Sequence, residues 1–429
     1  LEFAGRKFFV IGVQRSGLAA IELLKKQGSE VTAVDTQTPA SIGVPFVLQD
    51  AANFLEADAI ILSPGVPYDL PALVAARAYG IPTIGEVELA SYFLRGPVIG
   101  ITGSNGKTTT TALTGHILKE CGIPCQVGGN IGTAVASLID SSSPGQWNVF
   151  ELSSFQLESI THFRASIGAC LNVTPDHLDR HHTFENYANA KGKLFDTQQS
   201  RDFAVLNYGD AVCRAFASRA KATVVWFNAA DGFSLSGDSI AFNKVPFMLR
   251  SQIKLRGMHN VENVMAAAAM THLAGAKLEA IGPAVASFPG VEHRIEFVRN
   301  LNGVDYYNDS KATNVDATLK AIDAFPGNLW IILGGKDKGT DYTPLEGPLK
   351  ERAKGVLLIG AAAPLIRRAL NGSVSMTDCE TLDRAVSYAR DHSVPGDTVL
   401  LAPACASFDQ FKNYEHRGEC FKHLVAQLS

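Results

Sequence analysis

Lys107, Thr108 and Thr109 follow directly on Gly100-Ile101-Thr102-Gly103-Ser104-Asn105-Gly106. An ammonium and two hydroxyls at the end of a glycine-containing turn are groups that handle phosphate. The turn aims backbone N–H groups at an anion, Lys107 bridges phosphate oxygens, and the Thr108 hydroxyl suits an accompanying Mg²⁺. The stretch fits G-x-x-x-x-G-K-[ST] imperfectly, since Ile101 takes the first glycine position and the nearest glycines are Gly100 and Gly103. A Gly-rich strand-to-helix turn without ligand is the plain alternative. Further polar groups gather behind apolar runs: Glu151, Ser153 and Ser154 behind one, and Asn172, Thr174, Asp176 and His177 behind another. Asp176 to His182 offers no clear closed zinc set. A carboxylate, an imidazole and a loop threonine suit Mg²⁺ escorting a phosphate better.

These groups need strands to deliver them. Val98–Thr102 reads as a buried strand feeding a helix with Leu113, Ile117 and Leu118 at helical spacing, stopped by Gly122 and Pro124. Trp147–Leu152 and Ile167–Val173 read as further buried strands. If all three lie parallel in one doubly wound sheet, their carboxyl ends open on one ligand-binding edge, with Glu151 and His177 beside the loop. Upstream, Phe8–Ile11, a helix capped by Ser16 and ending at Gln27-Gly28, and Val31–Val34 closing on Asp35 form a β-α-β unit. Gln14 replaces the middle glycine of its G-x-G-x-x-G pattern, which argues against a classical dinucleotide site but leaves room for another nucleotide on the strand-end loops. Ala59–Leu62 runs into Ser63-Pro64-Gly65. Downstream, Ala204–Asn207 and Val224–Phe227 read as strands, and Met258 to Gly275 as an Ala-rich helix. Val304–Tyr307, Leu329–Leu333, Val356–Ile359 and Thr398–Leu401 alternate with helical patterns. Joints fall near Tyr92–Pro97 and between Pro289 and Gly303.

On residue type alone, Lys191 and Lys193 read as solvated lysines on a helix. Asn308 to Asn314 reads as a capped turn, to which Lys311 and Thr313 add an anion-site reading. Gly334 to Gly339 and Ala404 to Asp409 also follow buried strands, and Cys405 reads as a small packed thiol.

With 429 residues, 46% hydrophobic and 19% charged, the chain has apolar surface for two or three cores. A net charge of -4 gives no basic stripe for nucleic acid. Seven cysteines without a C-x-x-C pair fit reduced thiols, and no apolar run reaches membrane length. A cytoplasmic protein without membrane insertion is expected.

Six stretches, taken in order, resemble the Mur ligase family. They are Gly100–Thr109, Glu151-Leu-Ser-Ser-Phe-Gln-Leu-Glu158, Asn172-Val-Thr-Pro-Asp-His-Leu-Asp-Arg180, Gly257-Met-His-Asn-Val-Glu-Asn263, Asn308-Asp-Ser-Lys-Ala-Thr-Asn314 and Ser407-Phe-Asp-Gln-Phe411. The second and last look most like the D-glutamate-adding member. The resemblance implies an α/β chain of three domains: a Rossmann-like uridine-nucleotide domain (1–93), a central P-loop ATPase-like domain with a mainly parallel sheet (94–290), and a Rossmann-like amino-acid domain (291–429). It implies an ATP- and Mg²⁺-dependent amide ligation in peptidoglycan precursor synthesis, by a monomer, joining D-glutamate to UDP-N-acetylmuramoyl-L-alanine through an acyl phosphate.

By position, Gly103, Asn105, Gly106, Lys107, Thr108, Thr109, Asn263, Arg294 and Asp309 then match ATP contacts. Thr108, Glu151 and His177 match Mg²⁺ ligands, and Lys191 matches a lysine carried as a metal-bridging carbamate. Lys107, His177, Lys191 and Lys311 are the expected catalytic groups. Gln14, Asp35, Thr36 and Ser63 match uridine-side contacts, Asn130 a muramoyl contact, and Thr313, Lys338, Ser407 and Phe408 the D-glutamate pocket. Gln37 stands where an arginine can contact the nucleotide. Glu292 replaces the family's usual proline before His-Arg, so the loop carrying Arg294 is expected to be less rigid.

Overall fold

The computed structural model describes residues 1–39, 41–370 and 372–429, with the side chain of residue 179 left aside. The chain forms two compact units, one of Leu1–Lys254 with His259–Phe288, the other of Leu255–Met258 with Pro289–Ser429.

The first unit holds two sheets. The amino-terminal sheet contains β1 (Lys7–Ile11), β2 (Glu30–Asp35), β3 (Phe46–Leu48), β4 (Ala59–Leu62) and β5 (Thr83–Gly85), in the order β3-β2-β1-β4-β5. All its pairs are parallel. The short β3 and β5 escape a periodicity reading because three residues carry no period. The first helix is Arg15–Lys26, with Gln14 at its N-cap and no side-chain cap, so the expected Ser16 cap is corrected: Ser16 lies inside the first turn. Gly17 lets this helix close on the strand end, since a Cβ there would sit 1.9 Å from the Gly12 carbonyl oxygen.

The second sheet has β6 (Val98–Thr102), β7 (Cys125–Gly129), β8 (Trp147–Glu151), β9 (Ile167–Cys170), β10 (Phe203–Asn207), β11 (Thr223–Phe227), β12 (Phe233–Ser236), β13 (Ser239–Phe242) and β14 (Val245–Leu249). Its order is β14-β13-β12-β11-β10-β9-β6-β8-β7. The pairs from β7 to β12 are parallel, and β13 and β14 add an antiparallel edge. β6 lies between β8 and β9, so the chain leaves it in both directions across the sheet. Such a switch point leaves a crevice at the strands' carboxyl ends. Every residue of β6 is buried, as expected for a strand covered on both faces. Leu113, Ile117 and Leu118 of the following helix Lys107–Glu120 are fully buried, each burial contributing about 1.5–3 kcal/mol.

The second unit holds β15 (Glu296–Leu301), β16 (Val304–Asn308), β17 (Leu329–Gly334), β18 (Ala353–Ile359), β19 (Met376–Glu380) and β20 (Thr398–Leu401). Their order is β15-β16-β20-β17-β18-β19, parallel except for β15. Among the described residues no helix is long and apolar enough to cross a membrane, and the seven cysteines are free thiols.

Candidate active site

The loop after β6 is built on a left-handed residue. Gly106 has φ +85°, and a Cβ there would also lie 2.3 Å from Asn263 Oδ1. Glycine is therefore required both by the backbone and by the buried Asn263, whose Nδ2 donates to Asn260 Oδ1 at 3.0 Å. The loop is stitched to the end of β9. Asn105 N–H donates to Asn172 Oδ1 at 2.9 Å, Asn172 Nδ2 returns a bond to the Asn105 carbonyl at 3.1 Å, and Ser104 Oγ donates to the Thr174 carbonyl at 2.9 Å. Lys107 Nζ donates to the carbonyls of Gly103 and Ser104 at 2.8 and 3.0 Å, folded over its own loop. Thr108 and Thr109 occupy the first turn of the helix that follows. The sequence-expected phosphate cluster is thus brought together.

β8 delivers Glu151 to the same edge. The side chain is buried; Oε1 accepts from Asn130 Nδ2 at 2.9 Å, and Oε2 has no hydrogen-bond partner. Asn130, expected at the muramoyl part, lies against this carboxylate, and its backbone N–H also donates to the Glu151 carbonyl at 2.8 Å. A buried carboxyl oxygen without a hydrogen-bond partner, beside the Gly103–Lys107 loop, fits a hard divalent cation, which takes oxygen ligands.

His177 stands at φ +52° just before the short helix Leu178–His181. Its half-exposed ring meets Phe155 edge-on at 4.8 Å, and Nε2 lies 3.5 Å from the Asp176 carboxylate. His181, by contrast, is buried, stacks on Phe155 at 5.4 Å and shares a 2.9 Å hydrogen bond with Ser154 Oγ. Burial first, then the neighbouring Arg180 charge, pushes its pKa down to about 4.

Lys191 is not a solvated lysine: it is 1% exposed. Its Nζ donates to the Gly103 carbonyl at 2.8 Å, the same oxygen that Lys107 reaches, and lies 4.6 Å from the centre of the Tyr187 ring. Burial, followed by the charge of Lys107, lowers its pKa to about 7. Lys193 is half-buried and donates to the Glu158 carbonyl. Tyr187 binds Ser104 through its hydroxyl at 2.9 Å. The sequence reading passed over it, although Tyr187, Ala190, Lys191 and Leu194 repeat at the helical spacing of a buried face.

On the amino-terminal sheet, Gln14, Asp35, Thr36 and Ser63 all lie at or just past carboxyl ends of strands. Asp35 Oδ2 accepts from Val13 N–H at 2.8 Å and Oδ1 from Thr36 N–H at 2.7 Å, so its carboxylate also shapes the turn containing Gln14. Ser63 Oγ donates to the Gly12 carbonyl.

The second unit gathers the remaining candidates. Asp309 is buried, and desolvation raises its pKa to about 6 against the opposing charge of Arg294. Arg294 Nε is itself buried without a partner. The loop carrying Arg294 is bonded on both sides of Glu292. Val291 and Arg294 form a β-bridge, His293 N–H donates to Glu296 at 2.8 Å, Asn308 Nδ2 donates to His293 Nδ1 at 2.9 Å, and Glu292 pairs with Lys422. Lys311 Nζ lies 5.7 Å from the Tyr414 ring centre. Lys338 Nζ donates to the Thr313 carbonyl at 3.3 Å. Ser407 is buried, whereas Phe408 is 66% exposed. Beneath these loops lies a residue absent from the sequence reading, the fully buried Arg417. It donates to Ser310 Oγ and the Ser310 carbonyl at 2.9 Å each, and to the Cys405 carbonyl at 3.2 Å. Arg417 thereby ties the turn bearing Lys311 to the loop bearing Ser407. A lone arginine in a helical stretch gives no sequence signal for this. Cys405 is the packed thiol expected.

A mainly parallel sheet with a glycine-containing loop at its switch point, preceded along the chain by one α/β fold and followed by another, sets the class of protein. Family models match in the same order: the MurD-like amino-terminal domain of Mur ligases over residues 6–85, the Mur ligase middle domain over 101–271, and the Mur ligase glutamate ligase domain over 293–405. The chain belongs to the Mur ligase family. A UDP-N-acetylmuramoylalanine--D-glutamate ligase of Solibacter usitatus is 57% identical over 438 residues, spanning 100% of this chain and 99% of the relative. Ligases of the same name from Koribacter versatilis (100% of this chain, 99% of the relative) and Acidobacterium capsulatum (99% and 97%) are each 47% identical. Among solved structures, the UDP-N-acetylmuramate-alanine ligase of Thermotoga maritima shares the fold, with a TM-score of 0.62 at 20% identity over 98% of this chain and 99% of that one.

Proposed function

We propose that this protein joins D-glutamate to UDP-N-acetylmuramoyl-L-alanine at the expense of ATP, forming ADP and phosphate in peptidoglycan precursor synthesis. The observation that carries this reading is the 57% identity, across the whole chain, to a relative bearing that activity in its name. Relatives of 40% identity or more with the same name extend it.

The alanyl carboxylate attacks the γ-phosphorus of ATP, ADP leaves, and the amine of D-glutamate then displaces phosphate from the acyl phosphate to make the amide. Bringing a carboxylate to a triphosphate opposes two anions. Lys107 and the loop N–H groups from Gly103 to Thr109 offset that repulsion and hold the phosphates in line. Asn263, by packing against Gly106, keeps the loop in its left-handed shape. Arg294, Asp309 and Lys311 serve the nucleotide and the transferred phosphoryl group. Thr108, Glu151, His177 and a carbamate on Lys191 would hold Mg²⁺, which neutralises phosphate charge when bound. A buried amine with a pKa near 7 supports the carbamate, because the neutral form reacts with CO₂. Gln14, Asp35, Thr36, Ser63 and Asn130 line the path of the uridine nucleotide and its muramoyl part. Thr313, Lys338, Ser407 and Phe408 receive D-glutamate, whose two carboxylates suit an ammonium and hydroxyls. Residues 1–93, 94–290 and 291–429 are the corresponding domains, and the supply of ATP and nucleotide sugar places the reaction in the cytoplasm.

The test is product identification. Incubation with ATP, UDP-N-acetylmuramoyl-L-alanine and D-glutamate yields a nucleotide heavier by one glutamate residue in the mass spectrum. Its absence, with the protein folded and Mg²⁺ supplied, overturns the reading.

A further inference from the structure

One buried hydroxyl joins the two loops that carry Lys338 and Ser407. Tyr342 is 2% exposed, and its hydroxyl donates to Asp337 Oδ1 at 2.7 Å while lying 3.1 Å from Cys405 Sγ. A phenol taken out of water needs such a partner, and an ionised acceptor makes the bond a strong one. Asp337 immediately precedes Lys338. Its carboxylate also accepts from Gly339 N–H at 2.9 Å and Thr340 N–H at 3.4 Å, so the loop folds around it. These bonds, that of Tyr342 foremost, hold the Asp337 carboxyl below its usual range. Cys405 stands two residues before Ser407. On the other flank, Lys336 and Ala406 form a β-bridge in which Lys336 N–H donates to the Ala406 carbonyl at 2.8 Å. The bridge fixes the root of the Lys338 loop, and the Tyr342 hydroxyl fixes the side beyond it.

We propose that Tyr342 is a positioning residue for the amino-acid acceptor. Through Asp337 it holds the Lys338 loop against the Cys405–Ser407 loop, so that the Lys338 ammonium stays beside Thr313 and meets a carboxylate of the incoming dicarboxylic amino acid. A lysine on an exposed loop is costly to order on binding, and a loop already fixed removes part of that cost. The inference rests on the reading of Lys338, Thr313 and Ser407 as the acceptor pocket.

Tyr342→Phe keeps the buried ring and removes the hydroxyl. The KM for D-glutamate is expected to rise about tenfold, the size of one good hydrogen bond, with the KM values for ATP and the uridine nucleotide within about twofold and kcat changed less than the KM. Asp337→Asn, on the solvent side of the same bond, is expected to raise the same KM, and combining the two adds little to either alone. That variant also carries the test if Tyr342→Phe does not fold. A uniform fall in kcat with the D-glutamate KM unmoved, or additive effects of the two changes, overturns the proposal. Lys338→Ala separates the two levels. If it leaves the D-glutamate KM unchanged, the pocket reading fails; if it raises that KM while folded Tyr342→Phe does not, only the role of Tyr342 fails.

Discussion

Asn130 occupies one oxygen of Glu151 and leaves the other buried without a partner, next to the loop that ends at Lys107. A buried carboxyl group with one oxygen left unpartnered is costly unless a cation or a donor completes it. Glu151→Gln keeps the shape and the Asn130 contact but removes the charge. It should lower kcat by about 10²–10³ and weaken Mn²⁺ binding measured by electron paramagnetic resonance in the presence of a non-hydrolysable ATP analogue. Unchanged metal affinity would take Glu151 out of the cation site.

The Lys191 amine is buried against the Gly103 carbonyl. With its pKa lowered to about 7, the amine is mostly protonated at pH 6 and mostly neutral at pH 8. A carbamate signal from ¹³C-bicarbonate should therefore grow between those two values in the wild-type protein, and be missing from Lys191→Arg. A signal of equal size in both proteins would assign the carbamate elsewhere.

Gly106 combines a φ of +85° with a close approach to Asn263. Gly106→Ala must strain the backbone by about 1–2 kcal/mol and displace a buried carboxamide as well. ATP binding followed by calorimetry should drop at least tenfold, while the thermal midpoint moves only a few degrees. Retention of full ATP affinity would show that the loop shape is not what binds phosphate.

Glu86, at the start of the helix Glu86–Ser91, is fully buried. One of its oxygens accepts from Ala136 N–H and the other has no partner. Burial outweighs that bond and the nearby charge of Arg15, raising its pKa to about 7. The folded state thus takes up a proton that the unfolded chain, titrating near 4.5, has released. The stability tied to this proton is complete below about pH 4.5 and is lost as pH rises through 7, by about 3 kcal/mol in all. Urea unfolding of Glu86→Gln should give a flatter dependence between pH 5 and 8, with the variant gaining on the wild type at the alkaline end. Parallel pH profiles for the two proteins would refute the assignment.

Much of this site was legible because β6, β8 and β9 are buried runs ending in polar residues, and parallel strands deliver such ends to one edge. The positions of the Gly103–Lys107 loop, Glu151 and the Asn172–His177 segment could be read on that ground. Lys191 was misread from its type, since a lysine is ordinarily solvated; its spacing with Tyr187, Ala190 and Leu194 held the better signal. Arg417, Tyr342 and Asp337 could not be read from spacing, because their importance comes from loops far apart in sequence that meet only once β17 and β20 pair. The contacts around Glu292 were hidden for a similar reason: they come from Asn308, Glu296 and Lys422.

The central assignment is tested most directly by phosphate release from ATP with UDP-N-acetylmuramoyl-L-alanine and a panel of amino acids. Release is expected only when nucleotide and D-glutamate are both present, with L-glutamate, L-alanine and glycine near background, and is expected to vanish in Lys107→Ala. Equal release with another amino acid, or none with D-glutamate, would contradict a D-glutamate ligase.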